Sequence, residues 1–271
     1  MIFSDLIDEI IYETADFGVL GEITQKGKYG FKRFDISIDS EQKAKKLLKA
    51  QGNYTTINIS PIIHSLRSAR VYLINKLVEV LKEYLAVSKK ANPSIFVVGL
   101  GNAFLIADSL GARIVKNLLT THTLPKELKS ELGELSALIP GVSGINGIAT
   151  FDLVKGAVDV VKPDIVIIID ALTAKNHARI GCSFQFSNTS ISPGAGVGNK
   201  NKILNKTSLG VEVVTIGVPL MINARNFAEF NNLPNLVVTP KEIDIYIETC
   251  SKVLSKAINL AVHGKNYKNF V

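Results

Sequence analysis

Cysteine and histidine are both scarce in this sequence. Of its 271 residues, two are cysteines and four are histidines. Cys182 and Cys250 form neither a disulfide framework nor a metal-ligand spacing, and such sparse use of cysteine is typical of a reducing compartment. The histidines are His64, His122, His177 and His263. They are isolated from one another, and none forms the His-x-x-x-His pair of a helical zinc site. We therefore expect neither a metal site nor another cofactor.

The sequence also lacks a long apolar run, a signal peptide and a linker. No apolar stretch is long enough to span a bilayer, and the residues after Met1 do not place an apolar stretch behind a basic region. We therefore expect a cytoplasmic protein without a membrane partner. Because no Pro-, Ser- or Gly-rich linker interrupts the chain, residues 1–271 are expected to form a single α/β domain.

Positive charge is in excess but is not concentrated. The formal net charge is +7, yet the lysines are scattered and no basic stripe interleaved with aromatic residues is present. Direct binding of nucleic acid is therefore not expected. The charge favours a solvated basic surface and leaves attraction to acidic partners open.

Apolar strands alternate with amphipathic helices along most of the chain. The strands predicted at 95–100, 165–169 and 211–218 are uniformly apolar, which is typical of strands buried on both faces in a parallel sheet. Helices are predicted at 66–87, 151–161 and 241–263. Further elements are predicted at 4–14 (helix), 31–38 (strand), 40–48 (helix), 54–59 (strand) and 182–186 (strand). This order predicts a three-layer α/β fold, with a largely parallel or mixed central sheet and helices on both faces.

Two aspartates follow two of these apolar strands. Asp170 is predicted to end its strand, and Asp108 lies a short loop beyond its own strand, at the start of a helix. The active crevice of such a sheet lies outside the carboxyl ends of the strands, where two carboxylates could share a proton and activate water. Each residue also has a structural explanation. Asp108 may be read as a helix N-cap, and Asp170 as a residue that caps the following turn.

Two glycine-rich segments complete the set of candidate residues. Gly99-Leu100-Gly101 begins like a dinucleotide fingerprint, but Phe104 occupies the third glycine position. The run at 192–200 resembles a phosphate loop without the Gly-Lys-Ser/Thr ending. It is interpreted either as a loop that donates backbone N–H groups to a peptide carbonyl or as a tight structural turn. The residues expected to bind substrate are Gly101, Asn102, Gly194, Gly196, Gly198 and Asn199.

Several blocks together resemble the bacterial spore germination protease family. The blocks are Val98-Gly99-Leu100-Gly101-Asn102, Asp108-Ser109-Leu110-Gly111, the run at 139–145, Asp170-Ala171-Leu172, the run at 192–200 and Ile216-Gly217-Val218-Pro219. They occur in the family's order and are specific as a set. The resemblance is strongest over 93–224, the expected catalytic core, and is weaker over 1–92.

The resemblance implies an endopeptidase that degrades small acid-soluble spore proteins in the spore core during germination. It also implies an atypical aspartic-type mechanism, with the family's two functional aspartates at Asp108 and Asp170, and a homotetramer made as a zymogen. Two departures bear on activation and substrate choice. The Ser4-Asp5-Leu6 block lies almost at Met1, so we expect no pro-segment to be removed, and Ser192 stands where the family has histidine.

Two alternatives remain. The hydrogenase maturation endopeptidases share a Gly-x-Gly-Asn…Asp pattern, but they add a histidine, and His177 lies too close to Asp170 to serve. A catalytically silent, peptide-binding relative is the other alternative, and the presence of both aspartates argues against it.

Overall fold

The computed structural model describes residues 4–13, 22–125, 127, 131–191, 203–227 and 236–269. The strands are β1 (Glu22–Lys26), β2 (Lys32–Ile38), β3 (Gly52–Asn58), β4 (Ile95–Gly99), β5 (Leu135–Leu138), β6 (Ile165–Ala174), β7 (Ser183–Ser187), β8 (Glu212–Asn223) and β9 (Val237–Val238). The helices are α1 (Ile7–Glu13), α2 (Glu41–Leu47), α3 (Arg67–Leu85), α4 (Leu110–Lys116), α5 (Ser143–Asn146), α6 (Thr150–Val161), α7 (Lys206–Leu209) and α8 (Ile243–His263).

All of the described strands belong to one mixed sheet. Its order is β1-β2-β3-β7-β8-β6-β4-β5, and β9 pairs with β8. The strands β8, β6, β4 and β5 are parallel to one another. The strands β1, β2, β3 and β7 form an antiparallel half that joins β8 through β7. The predicted α/β class is confirmed, and the sheet is the mixed rather than the largely parallel form.

The central strands are apolar throughout because both of their faces are covered. In β6, Ile165, Ile167 and Ile169 pack with α3, α4 and α8, whereas Val166 and Ile168 pack with α6. All five side chains are fully buried. Successive side chains of a strand point to opposite faces, so a strand between two helical layers cannot carry a polar residue on either face without loss of stability.

None of the helices in the described residues combines the length and the apolar character that a membrane-spanning helix requires.

The strand that carries Asp170 is longer than its apolar run. The prediction that this strand ends at Asp170 was wrong, because its parallel ladder with β8 continues to the pair Ala174–Ile222. The neighbouring strand β4 stops earlier, at Gly99 opposite Ile169. Asp170 is therefore the first residue of β6 beyond the end of β4, which still places it at the carboxyl edge of the parallel sheet.

Two acidic residues attach helix α1 to the segment that follows β6. The buried carboxylate of Asp8 accepts a hydrogen bond from Arg179 (Oδ2 to Nη2, 2.7 Å). Glu9 accepts from the backbone N–H groups of Lys175 (2.7 Å) and Asn176 (3.0 Å). Burial raises the pKa of Asp8, and the nearby Arg179 charge opposes that rise. The ion pair therefore holds α1 against the sheet in surroundings that would not tolerate a lone carboxylate.

Replacement of Arg179 should destabilise the protein strongly. Arg179→Met leaves the Asp8 carboxylate buried without its cation, so we expect a loss of about 3 kcal/mol or more in the free energy of unfolding, measured by denaturant titration. Asp8→Asn in the same background should recover part of the loss. The matched control is Lys155→Met, which breaks the exposed pair Lys155–Asp159 and should cost less than about 1 kcal/mol. Equal losses in the two single variants would contradict this account.

Candidate active site

Asp170 lies partly buried in β6, directly opposite Gly217 of β8. Its Oδ1 atom accepts a hydrogen bond from the backbone N–H of Ala171 (2.9 Å). Gly217 leaves room for Leu172, since a Cβ atom at position 217 would lie 2.3 Å from Leu172 Cδ1 and 2.5 Å from its Cγ. Two blocks that are distant in sequence, Asp170-Ala171-Leu172 and the one containing Gly217, are therefore adjacent in the sheet.

Asp108 is held by the loop that precedes it. It ends a short 3-10 turn, Ile106–Asp108, and its Oδ2 atom accepts a hydrogen bond from the backbone N–H of Asn102 (2.8 Å). Helix α4 begins two residues later, with Ser109 at its N-cap position and no side-chain cap bond. The interpretation of Asp108 as a helix N-cap was therefore wrong. Its carboxylate binds the loop at the end of β4 instead of the helix.

Gly101 is required for this arrangement. Its φ angle is +100°, and a Cβ atom there would lie 2.1 Å from the backbone oxygen of Asp108 and 2.8 Å from its Oδ1. Any other residue would combine a strained backbone with a clash against Asp108. Asn102 contributes its N–H to Asp108 and accepts from the N–H of Phe104 through its side-chain oxygen (3.0 Å). The described contacts of Gly101 and Asn102 position Asp108, and their binding of substrate stays a prediction.

The negative charge of Asp108 acts on the carboxyl group of Asp170. Burial raises the pKa of Asp170 to about 8, and the negative charge of Asp108 adds to the rise, with a smaller contribution from Asp5. The N–H of Ala171 partly opposes it. Burial also raises the pKa of Asp108, against the stabilising N–H of Asn102. A partly buried carboxyl group in the field of a second negative charge resists ionisation, which favours the protonated form of Asp170 near neutral pH.

The structure does not describe the candidate residues of the second glycine-rich segment. Gly194, Gly196, Gly198 and Asn199 lie outside the described residues. Within the described ranges, no three His, Cys, Asp or Glu residues are grouped closely enough to hold a metal ion.

Three residues near Asp170 escaped the sequence reasoning. Asp5 contacts Thr173 of β6, and Gln185 of β7 contacts the backbone around Asp5. The sequence of the Ser4-Asp5-Leu6 block bears on activation, but nothing in its composition or spacing indicates a contact with β6. Such contacts arise from chain segments more than 160 residues apart, and no local pattern reports them.

Comparison with a solved structure gives only a distant likeness. A NiFe hydrogenase maturation protease from Thermococcus kodakarensis KOD1 matches 68% of this chain and 98% of its own, with a TM-score of 0.38 and 18% sequence identity.

Comparison by sequence is far more specific. The germination protease family model matches residues 14–230. A germination protease from Caldanaerobacter subterraneus subsp. tengcongensis is 34% identical and covers 89% of this chain and 87% of its own length. A germination protease from Clostridium perfringens is 32% identical and covers 84% of this chain and 83% of its own length. A third, from a Geobacillus species, is 41% identical and covers 72% of this chain and 54% of its own length. With the family model matching most of its length, this chain belongs to the germination protease family and is a peptidase that acts on protein substrates.

Proposed function

We propose that this peptidase is an aspartic-type endopeptidase that degrades small acid-soluble spore proteins during germination, with Asp108 and Asp170 activating water. The observation that carries the proposal is the effect of Asp108 on Asp170 at the carboxyl edge of the parallel strands. Two carboxyl groups that differ in protonation state at one pH are the arrangement that general acid–base hydrolysis requires.

The surroundings of the two groups favour distinct roles. Asp170 has its pKa raised to about 8, so it holds a proton near neutral pH and serves as the acid. Asp108 accepts the N–H of Asn102, which stabilises its ionised form, so it serves as the base. The sequence left open which aspartate is the acid and which is the base. These local contacts favour Asp170 as the acid and Asp108 as the base.

Hydrolysis then proceeds without a covalent enzyme intermediate. Asp108 accepts a proton from water as the water oxygen attacks the peptide carbonyl carbon, and Asp170 donates its proton to the carbonyl oxygen. Collapse of the tetrahedral intermediate breaks the C–N bond, and the proton held by Asp108 passes to the leaving amine. The carbonyl oxygen returns its proton to Asp170, so both carboxyl groups end in their starting states.

The loops around the pair are suited to an extended chain. The loop that carries Asp108 exposes Phe104, Leu105 and Ile106, and the segment after the adjacent strand β5 exposes Ile145 and Ile148. Because β4 and β5 are parallel neighbours, both loops leave the sheet at the same edge. Exposed apolar side chains at this edge would contact apolar side chains of a peptide, and a disordered substrate costs little to extend. Spore proteins that are disordered when free of DNA meet this requirement.

The family resemblance also suggests an oligomeric state and a cellular location for the enzyme. We propose that residues 1–271 act as one peptidase domain with its catalytic core at 93–224, assembled as a homotetramer of a zymogen-forming family in the spore core.

Loss of either carboxyl group should abolish proteolysis. Asp108→Asn and Asp170→Asn should each lower kcat by about 1000-fold or more, with an unchanged circular dichroism spectrum, because members of one catalytic unit lose most of the activity singly. In the unmodified enzyme, activity should rise as Asp108 ionises and fall as pH passes about 8, where Asp170 loses its proton. A folded Asp170→Asn protein with near-normal turnover would reject the mechanism.

Thermal stability should report the protonation of Asp170 independently of activity. Its pKa is raised in the folded protein, so the folded state holds a proton that the unfolded state has released, and stability falls as pH rises through about 8. Between pH 7 and 9 the Tm of the unmodified protein should therefore fall more than the Tm of Asp170→Asn. This window avoids His64, whose pKa burial lowers to about 4. Asp159→Asn, which neutralises an exposed carboxylate, serves as the control, and parallel curves for all three proteins would contradict the raised pKa.

The substrate assignment predicts selective cleavage. A small acid-soluble spore protein should be cut at one or a few sites beside a glutamate, and folded globular proteins should be spared. The net charge of +7 would favour an acidic residue near the scissile bond, so cleavage should slow as salt rises. The assay compares the free and the DNA-bound spore protein across a salt series, with Asp170→Asn as the blank. Equal cleavage of unrelated folded proteins would reject this substrate.

A further inference from the structure

Asp5 joins the N-terminal segment to the strand of Asp170 by three hydrogen bonds. Its backbone N–H donates to the carbonyl oxygen of Thr173 (2.9 Å). Its carboxylate Oδ2 accepts from the backbone N–H of Thr173 (2.8 Å) and from the Thr173 hydroxyl (2.7 Å). Thr173 lies three residues after Asp170 in the same strand, so Asp5 binds β6 immediately beyond the candidate site.

These contacts occupy backbone groups that a neighbouring strand would otherwise use. Strand β4 ends opposite Ile169, and the ladder between β6 and β8 shifts register between Leu172 and Thr173. The part of β6 that follows Asp170 is therefore held less regularly by the sheet than the part before it. Asp5 satisfies both the N–H and the C=O of the partly buried Thr173, groups that would otherwise lack a strand partner here.

Asp5 is itself fixed from two other elements. Its carbonyl oxygen accepts from Lys49 Nζ (2.8 Å) and from Gln185 Nε2 (3.1 Å), and Gln185 Oε1 accepts from the N–H of Ile7 (2.7 Å). Gln185 lies opposite Gly217, which lies opposite Asp170. Residues opposite one another in a sheet share a face, so Asp5 is tied to the same face that presents Asp170.

We propose that Asp5 is a positioning residue of the peptidase site, which fixes the backbone after Asp170 and places a second negative charge near that carboxyl group. The inference rests on the proposed function, in which Asp170 is the proton donor. Because Ala171 N–H binds Asp170 Oδ1, movement of the strand at Thr173 would be transmitted to the carboxyl group through two residues of backbone. The negative charges of Asp108 and Asp5 both favour the protonated form of Asp170. Lys49 donates a hydrogen bond to the carbonyl oxygen of Asp5 (2.8 Å). Burial lowers the pKa of Lys49, and the charge of Asp5 opposes that fall.

Two substitutions of Asp5 separate its charge from its contacts. Asp5→Asn keeps an oxygen that accepts from Thr173 but removes the charge, whereas Asp5→Ala removes both. We expect Asp5→Ala to lower kcat by about tenfold or more with KM changed less than about twofold, because a small misplacement of a catalytic group is costly. Asp5→Asn should lower kcat less, but it should move the alkaline limb of the pH profile to lower pH by about half a unit. The control is Asp159→Asn, which neutralises an exposed carboxylate far from these contacts in sequence and should change neither.

An infrared titration separates failure of this inference from failure of the proposed function. The carboxylic acid C=O band of Asp170 is assigned by its absence in Asp170→Asn, and its midpoint is followed against pH in the unmodified protein and in Asp5→Asn. A lower midpoint in Asp5→Asn supports the inference even if the spore protein is not cleaved, which would reject only the proposed function. An unchanged midpoint together with an unchanged pH profile would overturn it. If Asp5→Ala does not fold, Asp5→Asn alone decides.

Discussion

The parallel ladder between β6 and β8 is the constraint on which the candidate site depends. It runs from Ile165 opposite Glu212 to Ala174 opposite Ile222, so β6 stays extended well past the end of β4. Asp170 emerges at this step in the sheet, still flanked by β8 but no longer by β4. If β6 ended together with β4, its carboxyl group would lie in a solvated loop, and burial would not raise its pKa.

The two aspartates acquire different chemistry from different backbone settings. Asp108 lies in a loop that bends back on itself at Gly101, which brings the N–H of Asn102 to its carboxylate. Asp170 lies within a strand, and its described hydrogen bond comes from the adjacent Ala171. Burial is the largest cause of the raised pKa at both residues, but at Asp170 the negative charge of Asp108 raises the pKa further. In the proposed mechanism, this difference provides an acid and a base from two residues of the same type.

The antiparallel half of the sheet brings the beginning of the chain to this site. Strand β7 connects β3 to β8 and carries Gln185 into contact with Asp5 and Ile7. Helix α1 is then secured by the contact of Asp8 with Arg179 and by the contacts of Glu9 with the segment that follows β6. The same segment of the sheet thus supports the parallel core on one side and the N-terminal segment on the other.

Much of the fold could be predicted because local patterns report it. The uniformly apolar runs at 95–100 and 165–169 identified strands buried on both faces. The helix predicted at 40–48 is α2, and Ser40 is its N-cap, whose hydroxyl oxygen accepts from the N–H of Lys43. The candidate pair Asp108 and Asp170 followed from the general rule that parallel strands present their carboxyl ends to one crevice, and the family blocks pointed to the same residues.

The sequence by itself determined the apolar strands, the helices between them and the two candidate aspartates, Asp108 after β4 and Asp170 within β6. Only the tertiary structure decided that β6 continues beyond Asp170, that Asp108 binds Asn102 rather than capping α4, and that Asp5 bonds to Thr173. The physical reason is the range of the interactions. Hydrophobic periodicity and capping act within a few residues, whereas strand pairing, desolvation and the field of one carboxylate on another depend on which distant segments the fold brings together.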